Sequence, residues 1–410
     1  MGNQRQFPNV HWIWKGAISF VYEVHPHIVV KVPQPGEYER EQFEKELRIY
    51  EIYSQRPPCP SIIECFYYTD KGIFLEYMRG ATSGGSSLVY LVHTTNGIQD
   101  VSLSYRIQNN QLRDLQTNAL IRVEKLEPLP LRKIWLNDLA QAVAFLESLN
   151  LAHGDLRPDN ILIDGDRLKL SDFDCTEQIG ADFEACIPPY GRVLNSSESN
   201  QGPCGGAGFL GPRTELFALG SLYYLINYGF EVYGDRCLTP DNPRDHGPKV
   251  VKLLQSMEFP TLNGDPVIDD IIDKCWHNKY ATVAELAAHT ERVLTDGTSE
   301  ERTLLENTSD DNGWSSLLNR VVDGLWWSLD WWEFARGRGS KASMERTDPK
   351  HDHHDNPGQN FVPDGFSSTR KFCEDLVKRG LLDLLASGEP EQLGFDFDWY
   401  RHRSPASRET

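Results

Sequence analysis

Residues 153–160 read His-Gly-Asp-Leu-Arg-Pro-Asp-Asn, and an apolar stretch separates them from Ser171-Asp172-Phe173-Asp174. Asp155 therefore precedes Asn160 by five residues, and Asp172 follows beyond the apolar stretch. A carboxylate such as Asp155 can orient a hydroxyl group and accept its proton, whereas an asparagine and an aspartate can hold Mg²⁺ against phosphates. This order predicts phosphoryl transfer from ATP, with Asp155 as the catalytic base and Asn160 and Asp172 as metal ligands.

The composition is that of a globular protein with an excess of acidic groups. The chain has 410 residues, of which 39% are hydrophobic and 25% charged, and its formal net charge is −19. This charge disfavours nucleic acid and anionic membranes as partners, and the apolar runs are too short to span a bilayer. The N-terminal residues carry no apolar export signal, so we expect an intracellular protein, cytoplasmic or nuclear, with its eight cysteines reduced.

Hydrophobic periodicity predicts a small strand-rich region followed by a larger helical one. The predicted strands are 11–14, 19–24, 27–32, 62–68 and 72–77, and the predicted helices are 38–53, 131–149, 215–228, 248–257, 267–276, 283–294 and 369–386. The helix over 131–149 leads directly into the His-Gly-Asp loop. This order predicts an α+β fold of two lobes with a C-terminal extension.

The motifs resemble those of the eukaryotic protein kinase superfamily over roughly residues 11–295. Several stretches also resemble a group of fungal protein-kinase-like proteins with His-Gly-Asp and Asp-Phe-Asp motifs, and these stretches are 152–158, 171–176, 211–215, 245–251 and 387–395. The resemblance implies a two-lobed protein-kinase-like fold, ATP and Mg²⁺ as cofactors and a protein as substrate.

The resemblance also divides the chain. The expected boundaries are an N-lobe at 8–78, a hinge with a long insertion at 79–130, a C-lobe at 131–296, an aromatic-rich segment at 297–335, a disordered linker at 336–360, and a C-terminal helix and tail at 361–410. The stretch 80–125 is longer than such a connection requires, and is either a functional insertion or an error in the gene model. The tryptophan-rich stretch 314–334 either packs on the body of the protein or docks a partner.

The resemblance implies a lysine and a glutamate in the N-lobe that act on the nucleotide. Lys31 stands at the end of a predicted strand and would reach the α- and β-phosphates. A glutamate of the next helix would hold this lysine in place. Glu46 is our first choice for that partner, and Glu44 is the alternative.

Two further N-lobe segments would contact ATP. Residues 16–21 stand where a glycine-rich phosphate loop would lie, with Gly16, Ser19 and Val21 as the candidate contacts. Only one glycine remains in this segment, so an ordinary hairpin turn is the alternative. Backbone groups of Glu76 and Met78 are candidates for hydrogen bonds to the adenine edge.

The C-lobe motifs show one preference and two departures from the family pattern. Arg157 after Asp155 favours a Ser/Thr acceptor, because a basic residue there can neutralise the transferred phosphoryl group. Gly154 replaces the arginine that would hold a phosphorylated activation segment, so the serines at 196, 197 and 199 read as loop residues. Asp174 replaces the glycine of Asp-Phe-Gly, and we expect a turn that flips less freely.

These residues leave three functions open. The first is an ATP- and Mg²⁺-dependent protein kinase, Ser/Thr-directed, in which Asp155, Lys31 and Arg157 act in catalysis. The second is a phosphotransferase for small molecules, because His-Gly-Asp and Asp-Phe-Asp are similar to motifs of the aminoglycoside and choline kinase families. The third is a pseudokinase scaffold, which the degenerate glycine loop favours and the complete set of charged residues disfavours.

Overall fold

The chain has an antiparallel sheet near its N-terminus and mainly helices beyond it. The computed structural model describes residues 6–78, 101–115, 119–184, 187–194, 198, 207–305 and 366–395. Its strands are β1 (His11–Lys15), β2 (Ser19–His25), β3 (Ile28–Pro33), β4 (Cys65–Thr69), β5 (Gly72–Glu76), β6 (Gln111–Arg113), β7 (Leu120–Val123), β8 (Leu151–Ala152), β9 (Ile161–Asp164), β10 (Arg167–Leu170) and β11 (Glu177–Gln178). Its helices are α1 (Glu37–Tyr53), α2 (Leu103–Gln108), α3 (Leu129–Ser148), α4 (Pro212–Tyr228), α5 (His246–Gln255), α6 (Pro266–Trp276), α7 (Val283–Leu305), α8 (Phe366–Lys378) and α9 (Leu381–Leu385).

The first sheet has the strand order β1-β2-β3-β5-β4, and all its pairs are antiparallel. Strand β3 is rich in β-branched residues, which suit a pleated and buried surface. Its alternation places Val29 and Lys31 on the face that α1 covers with Phe43 and Tyr50. The strand predicted to begin at residue 62 begins at Cys65 instead, because the backbone at Ile62 bridges to β10 and so joins the sheet to the helical region.

The opposite face of this sheet is covered by the C-terminal part of the chain. Apolar residues of β1, β2, β3 and β5 form one buried cluster with residues of α8, of α9 and of the turns that follow. The ring of Tyr22, for instance, is fully buried and makes an edge contact with Phe395 at 5.5 Å between ring centres. Residues 366–395 are therefore an integral layer of the N-terminal lobe.

The prediction of one continuous helix over residues 369–386 was wrong. The chain forms two helices, α8 and α9, which meet at Gly380 with a φ of 85°. This left-handed conformation interrupts the helical hydrogen bonds, and glycine adopts it at little cost. The break turns α9 so that Leu381 and Leu382 enter the buried cluster.

Part of the long segment between the lobes is ordered against the helical region. Helix α2 buries Leu103 completely and Ile107 almost completely. The N–H of Ile163 in β9 donates to the carbonyl of Val101, and the short hairpin β6–β7 follows α2. Residues 101–115 and 119–125 thus pack as part of the domain, while residues 79–100 lie outside the described residues.

The helical region is built around α3 and α4, which are buried on most of their surfaces. The hydroxyl of Tyr223 donates to the carbonyl of Leu136 and joins the two helices. Helix α7 continues to Leu305, beyond the predicted end at residue 294. None of the helices in the described ranges is long and apolar enough to cross a membrane. The stretches 314–334 and 336–360 lie outside those ranges.

Candidate active site

The ammonium group of Lys31 lies between two carboxylates where the N-terminal sheet and α1 meet the helical region, a junction that we call the cleft. Its Nζ is 2.6 Å from Oε2 of Glu46 and 2.8 Å from Oδ1 of Asp172. Strand β3 places the lysine, α1 places the glutamate, and the segment after β10 places the aspartate. Burial by itself lowers the pKa of Lys31, and the two carboxylates raise it well above its usual range, so the lysine stays charged.

Glu46 rather than Glu44 is the residue in contact with Lys31. The Glu46 side chain is 1% exposed, and burial raises its pKa above the ordinary value although the charge of Lys31 opposes this. Glu44 lies on another side of α1, at the surface, where its Oε2 is 3.8 Å from Nη2 of Arg48. The helical position at residue 46 therefore determines which glutamate faces the cleft.

The loop after β8 brings Asp155, Arg157 and Asn160 together. The side-chain amide of Asn160 donates to the carbonyl oxygen of Asp155 at 2.9 Å and to its Oδ2 at 3.0 Å. The Nε of Arg157 is 3.2 Å from the same Oδ2. One carboxylate oxygen of Asp155 thus has an amide and a guanidinium beside it, which fixes the orientation of this carboxylate.

Glu215 at the start of α4 holds the backbone of this loop. Its carboxylate accepts the N–H groups of His153 at 2.8 Å and of Gly154 at 3.3 Å. Burial raises the pKa of Glu215 to about 7, and these two hydrogen bonds oppose the shift. Helix α4 therefore fixes the loop two residues before Asp155.

His153 connects the loop to the Asp172 segment. One tautomer satisfies both of its nitrogens: Nε2–H donates to the carbonyl of Ser171 at 3.2 Å, and Nδ1 accepts the N–H of Asp155 at 3.3 Å. Burial lowers the pKa of His153, which favours this neutral form. Phe173 is fully buried and packs edge-on against Tyr50 and Tyr53 of α1, so the same segment also holds α1 in place.

The positive φ in this segment falls at Asp172, with a value of 65°. Asp174 is not among the described residues with positive φ. The steric penalty that a side chain with positive φ would meet at this position therefore does not arise. Burial and the neighbouring Asp172 raise the pKa of Asp174, whereas Lys31 lowers the pKa of Asp172. Asp172 is therefore the better ligand for a cation.

The side-chain oxygens of Asn160 and Asp172 are of the kind that Mg²⁺ prefers as ligands. The amide nitrogen of Asn160 is turned to Asp155, and its amide oxygen makes no hydrogen bond with any described residue. The side chain of Asp172 is 36% exposed although one of its oxygens contacts Lys31. Amide and carboxylate oxygens are the ligands that Mg²⁺ takes beside phosphates.

The segment at residues 16–21 has the geometry of a tight hairpin. The N–H of Gly16 donates to the carbonyl of Ser19, and the amide of Gln34 donates to the carbonyls of Gly16 and Ala17. Ser19 is 2% exposed, and Val21 lies opposite Lys31 in the sheet. A hairpin between β1 and β2 is the geometry of a phosphate loop as well as of an ordinary turn, so the role of this segment stays a prediction.

Glu76, the last residue of β5, forms an ion pair that the sequence analysis missed. Oε2 of Glu76 is 2.6 Å from Nζ of Lys169 in β10, and the backbone N–H of Glu76 donates to the carbonyl of Glu64. That N–H is therefore not available to an adenine ring, while Met78 is almost fully buried beside it. The polar Lys169 between Leu168 and Leu170 was the available signal.

Comparison with known proteins identifies similarity to phosphotransferases. Residues 12–176 match the phosphotransferase enzyme family (APH), a range that contains Lys31, Glu46, Asp155, Asn160 and Asp172. The chain is 24% identical to dual specificity protein kinase Ttk of Danio rerio over 46% of its length and 20% of the relative's. It is 27% identical to maternal embryonic leucine zipper kinase of Danio rerio over 37% of its length and 24% of the relative's.

A third relative shows the same pattern. Testis-specific serine/threonine-protein kinase 4 of Homo sapiens is 31% identical over 20% of this chain and 26% of its own length. The chain thus spans only about a fifth to a quarter of the length of these curated relatives. Together the matches support a phosphotransferase with distant similarity to serine/threonine protein kinases.

Proposed function

We propose that this protein is an ATP- and Mg²⁺-dependent protein kinase that transfers the γ-phosphoryl group to serine or threonine hydroxyls. The observation that carries the proposal is the position of Lys31 between Glu46 and Asp172, with Asp155 and Asn160 in the adjoining loop. This arrangement combines a fixed cation, a metal-binding pair and a base in one cleft, which are the parts that phosphoryl transfer needs.

Each residue has a role that follows from its surroundings. Mg·ATP supplies the phosphoryl group and the charge neutralisation of a divalent cation when it is bound, and Asn160 and Asp172 would hold that cation. Lys31, kept charged by its two carboxylates, would bind phosphate oxygens. Asp155 would orient the acceptor hydroxyl and accept its proton, and Arg157 would stabilise negative charge on the transferred group. Catalysis of this kind rests on positioning and electrostatics.

A small-molecule phosphotransferase is the second candidate. The family match over residues 12–176 favours it, because that family is described as phosphotransferase enzymes and not as protein kinases. The names of the curated relatives favour the protein kinase. The two candidates share the same cleft residues and differ in the acceptor.

The test is ADP release from Mg·ATP, followed by transfer of labelled phosphate to a degenerate peptide library and to a panel of small alcohols. Asp155→Asn and Asp172→Ala should each reduce turnover by about 100-fold or more, whereas Asp241→Asn, at an exposed position of the helical region, should leave it unchanged. Label on peptides supports the proposal, and label on alcohols alone supports the second candidate. If the wild type neither turns over ATP nor is stabilised by it, the protein is a scaffold and both candidates fail.

A further inference from the structure

Two buried arginines converge on one glutamate beyond the cleft. Arg192 and Arg213 are 5% and 8% exposed. The Nε of Arg213 is 3.0 Å from Oε1 and 3.2 Å from Oε2 of Glu198, and Nη2 of Arg192 also contacts Oε1. Both guanidinium groups lie within about 6 Å of the ring of Phe217, a further favourable contact for a cation.

The carboxylate of Glu198 compensates the positive charges of Arg192 and Arg213. Burial and the like charge of Arg213 lower the pKa of Arg192, and two buried cations so close together repel each other. The carboxylate of Glu198 offsets this repulsion because it contacts both groups. Arg213 is held from the other side as well, since its Nη2 donates to the carbonyl of Trp276 at 3.1 Å.

This cluster joins two parts of the chain that frame the active site. Glu198 lies four residues after segment 187–194, and its N–H donates to the carbonyl of Leu194. Arg213 belongs to the first turn of α4, the helix whose Glu215 holds the loop of Asp155. The ion pair therefore connects segment 187–194 to the start of the helix that fixes the catalytic loop.

Other contacts show that segment 187–194 lies flat against the helical region. The hydroxyl of Ser221 donates to the carbonyl of Pro189, and the side-chain amide of Gln255 pairs with both backbone groups of Val193. The hydroxyl of Tyr190 donates to Glu231, whose pKa burial raises, with Asp159 of the catalytic loop adding to the shift. Residues 187–194 are thus bound to the helical region at several points, and we call this segment the platform.

We propose that Glu198 is a positioning residue for the acceptor: through Arg192 and Arg213 it fixes the platform 187–194 against the start of α4, the helix whose Glu215 holds the loop of Asp155. Because a carboxylate is charged without modification, the platform is held without a phosphoryl group. This inference rests on the proposed function insofar as the platform receives a protein acceptor.

Hydrogen–deuterium exchange tests the anchoring without any acceptor. In Glu198→Gln, the backbone amides of residue 187 and of residues 190–194 should exchange at least about 10-fold faster than in the wild type, and those of α3 should not change. Glu198→Asp keeps the charge and should restore much of the protection, and Glu184→Gln, at an exposed position, should behave as the wild type. Unchanged exchange of 187–194 in Glu198→Gln would overturn the proposal, as would loss of protection in the wild type after phosphatase treatment.

Kinetics then separate positioning from general damage. With the peptide found for the wild type, Glu198→Gln should raise KM for the peptide by about 10-fold or more and leave KM for ATP and acceptor-independent ADP release within about twofold. If KM for the peptide, KM for ATP and acceptor-independent ADP release all worsened to the same extent, the role of Glu198 would be merely structural. A wild type without transfer activity would refute the proposed function, while the exchange result would still decide whether Glu198 anchors the segment.

Discussion

The ammonium group of Lys31 lies 2.6 Å from the carboxylate of Glu46, and the two side chains are only 11% and 1% exposed. The contact joins β3 to α1 inside the cleft. Because Phe173 packs against the same helix from the Asp172 segment, the position of α1 and that of Asp172 depend on each other. A change at Glu46 should therefore affect the cleft and not only the lysine.

We expect Glu46→Gln to reduce kcat/KM for ATP by about 100-fold, because the neutral amide no longer holds Lys31 and a displacement of about 1 Å has that cost. Glu44→Gln, at an exposed position two residues earlier on α1, should stay within about twofold. Steady-state ADP release measures both variants. Equal effects at positions 44 and 46 would contradict the pairing.

Gly154 should not tolerate a side chain. A Cβ at this position would lie 2.6 Å from the carbonyl oxygen of Cys175, and its φ is +80°. Gly165→Ala is the matched control, since Gly165 has a φ of +58° with nothing within 4 Å of an added Cβ. Both variants meet the left-handed penalty of about 1–2 kcal/mol, and the clash should cost Gly154→Ala about 1–3 kcal/mol more.

Chemical denaturation gives these two free energies of unfolding. The same geometry predicts that Gly154→Arg, which restores the residue usual before the catalytic aspartate, is destabilising and gains no activity. A Gly154→Ala variant as stable as Gly165→Ala would contradict the backbone contact with Cys175.

The packing of the C-terminal layer can be tested with a double-mutant cycle. A Cβ on Gly72 in β5 would lie 2.7 Å from Cδ2 of Leu382 in α9. Gly72→Ala alone should cost about 1–3 kcal/mol through overpacking, and Leu382→Ala alone about 2–5 kcal/mol through a cavity. The double variant should be more stable than the sum of both losses predicts, because the smaller alanine makes room for the added methyl group. Strict additivity would show that α9 does not contact this strand.

Glu215 should give the protein a recognisable pH dependence. Its pKa is raised from 4.5 to about 7 in the folded state, so the folded state binds the proton more tightly than the unfolded state. The resulting stabilisation is fully present below pH 4.5 and is lost as the pH rises through about 7, with a maximum on the order of 3 kcal/mol. Glu215→Gln lacks this dependence. Between pH 5 and pH 8, the melting temperature of the wild type should therefore fall relative to that of Glu215→Gln. A difference between the two melting temperatures that stays constant over this range would contradict the raised pKa.

Local sequence patterns predicted most elements of the fold. The strands over residues 11–33, the helix α1 and the helices α3 to α7 follow from periodicity, and the segments of Asp155 and Asp172 are joined through His153 and Ser171. Residue roles in the site stay predictions, although the geometry brings together Lys31, Glu46 and Asp172. The hairpin at Gly16 fits both a phosphate loop and an ordinary turn, so its role also stays a prediction.

What the sequence analysis missed depends on contacts between distant residues. Nothing near residues 366–395 indicates that they cover a sheet formed at the other end of the chain, nor that Arg192 and Arg213 share Glu198. A signal was nevertheless present in β3, because its residues 28–30, Ile-Val-Val, are apolar at consecutive positions. A strand that buries both faces needs a covering layer on each, and α1 could supply only one.

The position of that second layer in the chain has a consequence for biosynthesis. The sheet ends at residue 76 and its outer cover begins at residue 366, which is 290 residues later. At about 5–20 residues per second, the ribosome needs roughly 15 to 60 s to deliver that cover. Until then, the face of the sheet that carries Tyr22 and Phe74 lacks the layer that buries it in the folded protein.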